Sequence, residues 1–270
     1  MVLPSMSCGS VTAPMISEYL SGVKRKNGSP PRARFALGRG GLVDGAPPAW
    51  AAEVVSSNIV GYDKVSLTAN AYDILGLQFT GVNGATIDIQ SLFGAGVEDG
   101  DNVLFFDGTG YKSYTYADVT FDEDWNELAA GWQDDDTGFR AERTITAGEA
   151  FWVLPAGTKD VTFAGEVSSM NTYTFSGNGE NQLVTIPVPM EVDLQGVSFD
   201  NIADGDSIQI FTGDGYKSFT YADVTFDEDW NELEAGWQDD DTGFRASNQQ
   251  MNLGKGFWIN AQASSIDIGL

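Results

Sequence analysis

Two stretches of this chain, 105 positions apart, carry almost the same sequence. Residues 111–141 read YKSYTYADVTFDEDWNELAAGWQDDDTGFRA, and residues 216–246 differ from them at two positions only. Self-similarity at a period of about a hundred residues predicts two related domains in tandem. We place them at residues 53–165 and 166–270, after a leader of residues 1–52.

The leader differs from the rest of the chain in charge and composition. It holds six of the 14 Lys and Arg residues but only two of the 39 Asp and Glu residues. A basic stretch, an apolar segment at residues 35–43 and the triplet Ala49-Trp50-Ala51 are typical of an export signal with its cleavage site. A degenerate export signal, a wrongly chosen start codon and a disordered basic arm all fit this pattern. We favour export, and therefore expect an extracellular or cell-surface protein.

Composition excludes several functions. The net charge of −25 opposes binding to nucleic acid. Histidine is absent and the single cysteine, Cys8, lies in the leader, so the domains lack Ser-His-Asp and Cys-His catalysis, zinc sites and disulfides. No apolar run reaches the roughly 18–20 residues of a transmembrane helix. We expect a non-enzymatic protein.

Short apolar runs separated by Gly-rich turns fill both copies and predict an all-β fold. Tyr114 and Tyr116 share one strand face at period two, and each copy closes on an aromatic strand at residues 151–153 or 257–259. Roughly seven such strands per copy predict two tandem β-sandwich or barrel-like domains.

One segment breaks the β pattern. Thr120 with Glu123 fits a capping box, and Phe121, Trp125 and Leu128 recur at helical spacing before a glycine. The second copy repeats this pattern at residues 225–236. The sequence therefore predicts one short surface helix in each domain, with Trp125 and its counterpart Trp230 in the core.

The acidic residues are candidates for binding a hard cation such as calcium, which takes oxygen ligands. Asp122, Asp124 and Asn126 imitate the start of an EF-hand loop, but the sixth position is Glu127 rather than Gly. The alternatives are a solvated acidic face and a calcium site in the turn that follows. The candidate ligands of that site are Asp134, Asp136, Asp239 and Asp241. No other cofactor is expected.

Aromatic residues are the second candidate, because exposed rings beside carboxylates can stack on sugars. The residues expected to be exposed and to bind a ligand are Tyr111, Trp132, Tyr216 and Trp237. Trp152 and Trp258 are expected in the core. Such a surface predicts a glycan ligand or self-association as the partner.

The order of motifs resembles a group of secreted β-rich repeat proteins of Verrucomicrobia and related bacteria. The resemblance rests on Asn58-Ile59-Val60-Gly61-Tyr62, on a Gly-Tyr-x-x-Tyr strand at residues 110–114 and on Gly-x-x-Phe-Trp at residues 148–152 and 254–258. It implies export and a β-rich fold, and it implies no catalytic residues.

These features together predict a non-enzymatic secreted or cell-surface structural or interaction protein, stabilised by cations if the acidic turns bind them. The alternatives are a carbohydrate-binding module and a hydrolase that acts on glycans with paired carboxylates.

Overall fold

The structure is a computed structural model that describes residues 59–167, called copy 1 below, and residues 172–269, called copy 2. Within these ranges the chain forms antiparallel strands and three 3-10 turns, and it contains no α-helix. The predicted all-β class is confirmed.

The strands of copy 1 are β1 (Val60–Leu67), β2 (Asp73–Gly76), β3 (Phe79–Thr80), β4 (Ile87–Asp88), β5 (Asn102–Phe106), β6 (Tyr111–Phe121), β7 (Glu127–Asp134), β8 (Thr144–Ile145), β9 (Ala150–Leu154) and β10 (Lys159–Val167). The strands of copy 2 are β11 (Thr172–Phe175), β12 (Asn181–Val184), β13 (Val192–Asp193), β14 (Ser198–Asp200), β15 (Ser207–Phe211), β16 (Tyr216–Ala222), β17 (Thr225–Phe226), β18 (Glu232–Leu233), β19 (Gly236–Asp239), β20 (Gln250–Met251), β21 (Phe257–Asn260) and β22 (Ile266–Gly269). The 3-10 turns are Val82–Gly84, Ile89–Ser91 and Leu194–Gly196.

Each copy contains a five-stranded antiparallel sheet. The strand order is β2-β9-β5-β6-β7 in copy 1 and β12-β21-β15-β16-β19 in copy 2. Side chains alternate between the two faces of β5, so Val103 and Phe105 are buried while Leu104 and Phe106 lie half-buried on the opposite face. The apolar alternation in the sequence therefore fixes which face of the sheet covers the core.

A three-stranded sheet supplies the other side of each core. Its order is β1-β10-β3 in copy 1 and β11-β22-β14 in copy 2. In copy 1, Val65 of β1 and Phe163 of β10 join Phe151 of β9 in one buried cluster, and the rings of Phe151 and Phe163 lie 6.4 Å apart. An equivalent cluster in copy 2 includes Phe175, Phe257 and Ile268.

The predicted surface helices are wrong, because residues 120–131 and 225–236 form hairpins. Thr120 donates its hydroxyl to the Ala129 carbonyl across β6 and β7 rather than capping a helix. The Asp122 carboxylate accepts hydrogen bonds from the amides of Asp124 and Asn126 and so stabilises a turn. Asp side chains commonly compete with helix formation in this way. The apolar spacing of Phe121, Trp125 and Leu128 reflects this turn and not a helical face.

The two copies meet through corresponding residues at a contact called the joint below. Phe106 of copy 1 packs edge-on against Trp258 of copy 2, and Trp152 of copy 1 packs edge-on against Phe211 of copy 2, each pair with ring centroids 5.0 Å apart. Because Phe106 corresponds to Phe211 and Trp152 to Trp258, the contacts are reciprocal, as in a twofold dimer. Trp152 and Trp258, expected in the core, are half-buried and pack around this joint.

The backbones of the two copies also pair at the joint. The Gly76 amide donates to the Gly254 carbonyl, and the Thr185 amide donates to the Gly148 carbonyl, both at 2.9 Å. A Cβ at Gly76 would lie 2.2 Å from Thr185. Glycine at this position is what allows the two backbones to come so close.

The leader and the export signal predicted within it lie outside the described residues. The predicted division into domains at 53–165 and 166–270 stays a prediction. In the part of the chain that the structure describes, no helix is long and apolar enough to span a membrane.

Candidate functional site

The hairpin between β6 and β7 ends in a tight loop that its own side chains hold. The Asp122 amide donates to the Asn126 carbonyl at 3.1 Å, and the Trp125 amide donates to the Asp122 carbonyl at 2.9 Å. Asp122 Oδ1 accepts from the amides of Asp124 and Asn126 at 3.0 and 2.8 Å. Hydrogen bonds from the Asn126 side chain and amide hold the pKa of Asp122 below its usual range. Residues 121–126 of copy 1 and residues 226–231 of copy 2 are called the tryptophan loops below.

Trp125 occupies the position of this loop that favours glycine or asparagine. Its φ is 64°, and that of Trp230 in copy 2 is 62°. A side chain in this left-handed region costs roughly 1–2 kcal/mol. Backbone strain of this kind is concentrated at functional sites, so it motivates a functional hypothesis for the indole.

The indole of each loop is presented to solvent between two phenylalanines. Trp125 is 72% exposed, and its ring lies 6.2 Å from that of Phe121 and 5.2 Å from that of Phe139. Trp230 is 73% exposed, with corresponding distances of 6.2 and 5.3 Å to Phe226 and Phe244. The prediction that Trp125 and Trp230 belong to the core is therefore wrong.

A polar clamp fixes the base of each loop. The Gln90 amide group donates to the carbonyls of Trp132 and Ala141 at 2.9 Å, and Gln90 Oε1 accepts from the Trp132 amide. Arg140 donates through Nη1 to Thr120 Oγ1 at 3.0 Å and to the Ala129 carbonyl at 2.9 Å. The corresponding residues of copy 2 are Gln195 and Arg245. Both hairpins thus present their tips on a fixed support.

The exposed residues of the loops are identical in the two copies, and they lie within residues 111–141 and 216–246, which differ at only two positions. Glu123, Asp124 and Trp125 are exposed and identical to Glu228, Asp229 and Trp230. Just before the repeated stretch, residues 101–110 and 206–215 match only at Asp101/Asp206, Phe106/Phe211, Gly108/Gly213 and Gly110/Gly215. The two copies therefore present the same exposed loop surface, although the segments just before them differ.

The surroundings of the loops are strongly acidic. Beside the loop of copy 2 lies an indentation of about 490 Å³ whose charged lining is mostly carboxylate. Its lining includes Asp193, Asp227, Glu228, Asp229, Asp239 and Arg245. Arg245 already donates to the Glu234 and Ala235 carbonyls at 2.8 and 3.2 Å. The site therefore offers aromatic and anionic surface together.

The carboxylates predicted to hold calcium take part in local interactions. Asp134 Oδ2 lies 2.7 Å from Lys112 Nζ, and Asp134 Oδ1 accepts from the Asp136 amide at 3.0 Å. Burial works to raise the pKa of Asp134, but Lys112 and the Asp136 amide outweigh it and lower this pKa. In copy 2, Asp239 pairs with Lys217 at 2.8 Å and accepts from the Asp241 amide at 3.0 Å.

Residues 59–167 and 172–269 contain no group of three or more Asp, Glu, His or Cys side chains placed to hold a metal ion. Calcium binding at Asp134, Asp136, Asp239 and Asp241 stays a prediction, and a cation there would have to compete with Lys112 or Lys217.

The aromatic residues predicted to bind a ligand lie in two different places. Trp132 and Trp237 are 1% and 2% exposed and belong to the two cores, so their predicted exposure is wrong. Each indole packs edge-on against a tyrosine of the neighbouring strand, Tyr116 or Tyr221, at 5.4 Å.

Tyr111 and Tyr216 are about half exposed, as predicted, and lie at the joint. Both line a hollow of about 250 Å³ with Phe106 and Trp258. Burial raises the pKa of Tyr216, and nearby Tyr111 adds to this effect. Glycan binding or self-association through the two tyrosines stays a prediction.

Comparison of the chain with protein-family models, with curated proteins and with solved structures gave no match. The resemblance to the verrucomicrobial repeat proteins stays a prediction.

Proposed function

We propose that this is a non-enzymatic interaction protein of the extracellular space or cell surface, which binds a basic segment of a protein partner on two identical tryptophan loops. The observation that carries this proposal is the exposed indole at positive φ, present with the same neighbours in both copies. An exposed tryptophan contributes little to a core, whereas tryptophan at an interface is a frequent source of binding energy.

The charge around the loops selects the class of partner. The net charge of −25 repels anionic surfaces, and Asp122, Glu123, Asp124 and Glu127 crowd the Trp125 loop. A Lys or Arg side chain can lie over the indole face, where a cation gains about 0.5–1 kcal/mol at an exposed site, while the carboxylates neutralise its charge. Acidic and neutral peptides lack this combination of contacts.

Duplication of the loop supports binding to a partner with repeated or paired basic segments. When two linked sites engage one partner, the second contact forms within the complex, and the overall affinity exceeds that of one site by about 10²–10⁴. The strained but clamped loops favour this mode, because a fixed backbone loses little conformational freedom on binding.

The proposal is tested with an array of short peptides that differ in their number of Lys, Arg and acidic residues. The wild-type chain is compared with Trp125→Asn plus Trp230→Asn, because Asn accepts positive φ and keeps the loop while removing the indole. We expect binding to Lys- and Arg-containing peptides that the double variant loses. Tyr62→Ala removes an exposed ring from β1, outside the loops, and should bind as the wild type does. Equal binding by the wild type and the double variant would refute the proposal.

A further inference from the structure

A second candidate binding site lies at the joint, where a cleft of about 490 Å³ opens between the two copies. Copy 1 contributes Tyr72, Asp73 and Gln78 to its lining, and copy 2 contributes Phe211, Gln249 and Lys255. Clefts between packed units are common places for small-molecule sites, and this volume lies in the usual range of about 300–1,000 Å³.

The cleft has a counterpart across the joint, and there the position of Gln249 holds a larger side chain, Arg143. Arg143 corresponds to Gln249, because the Arg143 carbonyl accepts from Ile89 as the Gln249 carbonyl accepts from Leu194, both at 2.8 Å. Arg143 lies over the Phe105 ring at 4.0 Å from its centroid. Gln249, which is shorter and uncharged, leaves this space open on the side of the cleft.

Two further exchanges distinguish the sides. Glu149 pairs with Arg143 at 3.0 Å, and the Tyr173 ring packs directly on Gly148. Burial raises the pKa of Tyr173 to about 12, with Glu149 contributing. On the side of the cleft, Lys255 stands at the position of Glu149.

The third exchange places Asp63 at the position of Tyr173. The two correspond in register, since Asp63 faces Phe163 of β10 and Tyr173 faces Ile268 of β22. Asp63 packs against Gly254, as Tyr173 packs against Gly148, but it is far smaller than a tyrosine. Asp63 does not line the cleft, so the open space there follows from the exchange of Arg143 for Gln249, which does line it.

The cleft combines hydrogen-bond donors and acceptors with aromatic rings. Lys255 Nζ forms an ion pair with Asp73 Oδ2, and both groups remain about one-third exposed. Tyr72 is 51% exposed and packs edge-on against Trp152 at 5.9 Å. A sugar ring presents C–H groups to aromatic faces and hydroxyls that both donate and accept. Because Asp73 and Lys255 neutralise one another within an acidic protein, the cleft favours an uncharged ligand.

From this geometry we infer that the cleft binds a neutral mono- or disaccharide. The ring stacks on Tyr72 and Phe211, and its hydroxyls bond to the Asp73 carboxylate, the Lys255 ammonium and the Gln249 amide. This site is separate from the tryptophan loops and does not depend on the function proposed for them.

The test is a calorimetric titration of the full chain with glucose, galactose, mannose, N-acetylglucosamine and disaccharides of these sugars. We expect saturable binding of at least one of them. Tyr72→Ala should weaken it about tenfold, the equivalent of about 1.4 kcal/mol, which is within the range of one aromatic contact. Gln249→Arg copies Arg143 into the cleft and should abolish binding.

Two controls separate this inference from the proposed function and from misfolding. Trp125→Asn plus Trp230→Asn should leave sugar binding unchanged. Circular dichroism shows whether each variant folds. Tyr72 is half exposed, so Tyr72→Ala should fold, and it tests sugar binding if Gln249→Arg does not fold. The inference is overturned if none of the sugars binds, if Tyr72→Ala binds with the affinity of the wild type, or if the tryptophan double variant loses binding.

Discussion

Replacing Trp132 or Trp125 by alanine should give opposite results, although both residues lie in the same repeated stretch. Trp132 is 1% exposed and its ring lies 5.4 Å from Tyr116 and 6.0 Å from Phe93, whereas Trp125 is 72% exposed. Truncation of a buried Trp to Ala costs about 3–5 kcal/mol. A typical domain has a total stability of only about 5–15 kcal/mol. We expect Trp132→Ala to remove a large part of the stability of copy 1.

Trp125→Ala should change stability by less than about 1 kcal/mol. Alanine at positive φ is as unfavourable as tryptophan, so the substitution relieves no backbone strain. Its main cost is the loss of two exposed ring contacts. The assay is urea unfolding followed by far-ultraviolet circular dichroism, which does not depend on the altered tryptophan. Trp237→Ala and Trp230→Ala repeat the comparison in copy 2. Equal losses of stability for Trp132→Ala and Trp125→Ala would refute the assignment of one indole to the core and the other to the surface.

Two further predictions concern pH and cations. Among the described residues, buried Asp63 Oδ2 has no hydrogen-bond partner, and burial raises the pKa of Asp63. Its ionised form therefore opposes folding at neutral pH. Asp63→Asn should raise the melting temperature at pH 7, with a gain that shrinks as the pH falls toward about 3.9; a gain independent of pH would contradict this. Salt should raise the melting temperature by screening repulsion among the acids, and calcium should add to it only if Asp134 and Asp136 bind the ion. Calcium at matched ionic strength, with Asp134→Asn plus Asp136→Asn as the control, separates the two effects.

The strands could be predicted from the sequence because their cores depend on local alternation. Phe105 and Phe151 lie in short apolar runs bounded by glycine-rich turns, and the structure buries both. The hairpins could not be predicted in this way, because Phe121, Trp125 and Leu128 also satisfy a helical period. Four hydrogen-bond donations to the Asp122 carboxylate, from residues 124 and 126, decide between the two structures. The spacing of apolar residues alone does not predict these hydrogen bonds.

Only part of the candidate site could be predicted from the sequence. The sequence identifies the tryptophans, but which of them is exposed depends on strand register, which places Trp132 opposite Tyr116. The clamp by Gln90 was missed because it acts across 42 positions. A signal for it exists, since Asp88-Ile89-Gln90 and Asp193-Leu194-Gln195 repeat the pattern Asp-x-Gln at the 105-residue spacing.

Two equivalent tryptophan loops should each bind one basic segment, so the number of peptides bound per chain is the decisive measurement. Isothermal titration of the full chain with one Lys- and Arg-containing peptide selected on the array should give two equivalent sites. Trp125→Asn or Trp230→Asn alone should leave one site with unchanged affinity, and the double variant should leave none. A stoichiometry of two that survives in the double variant, or a single site lost with either substitution alone, would contradict the account.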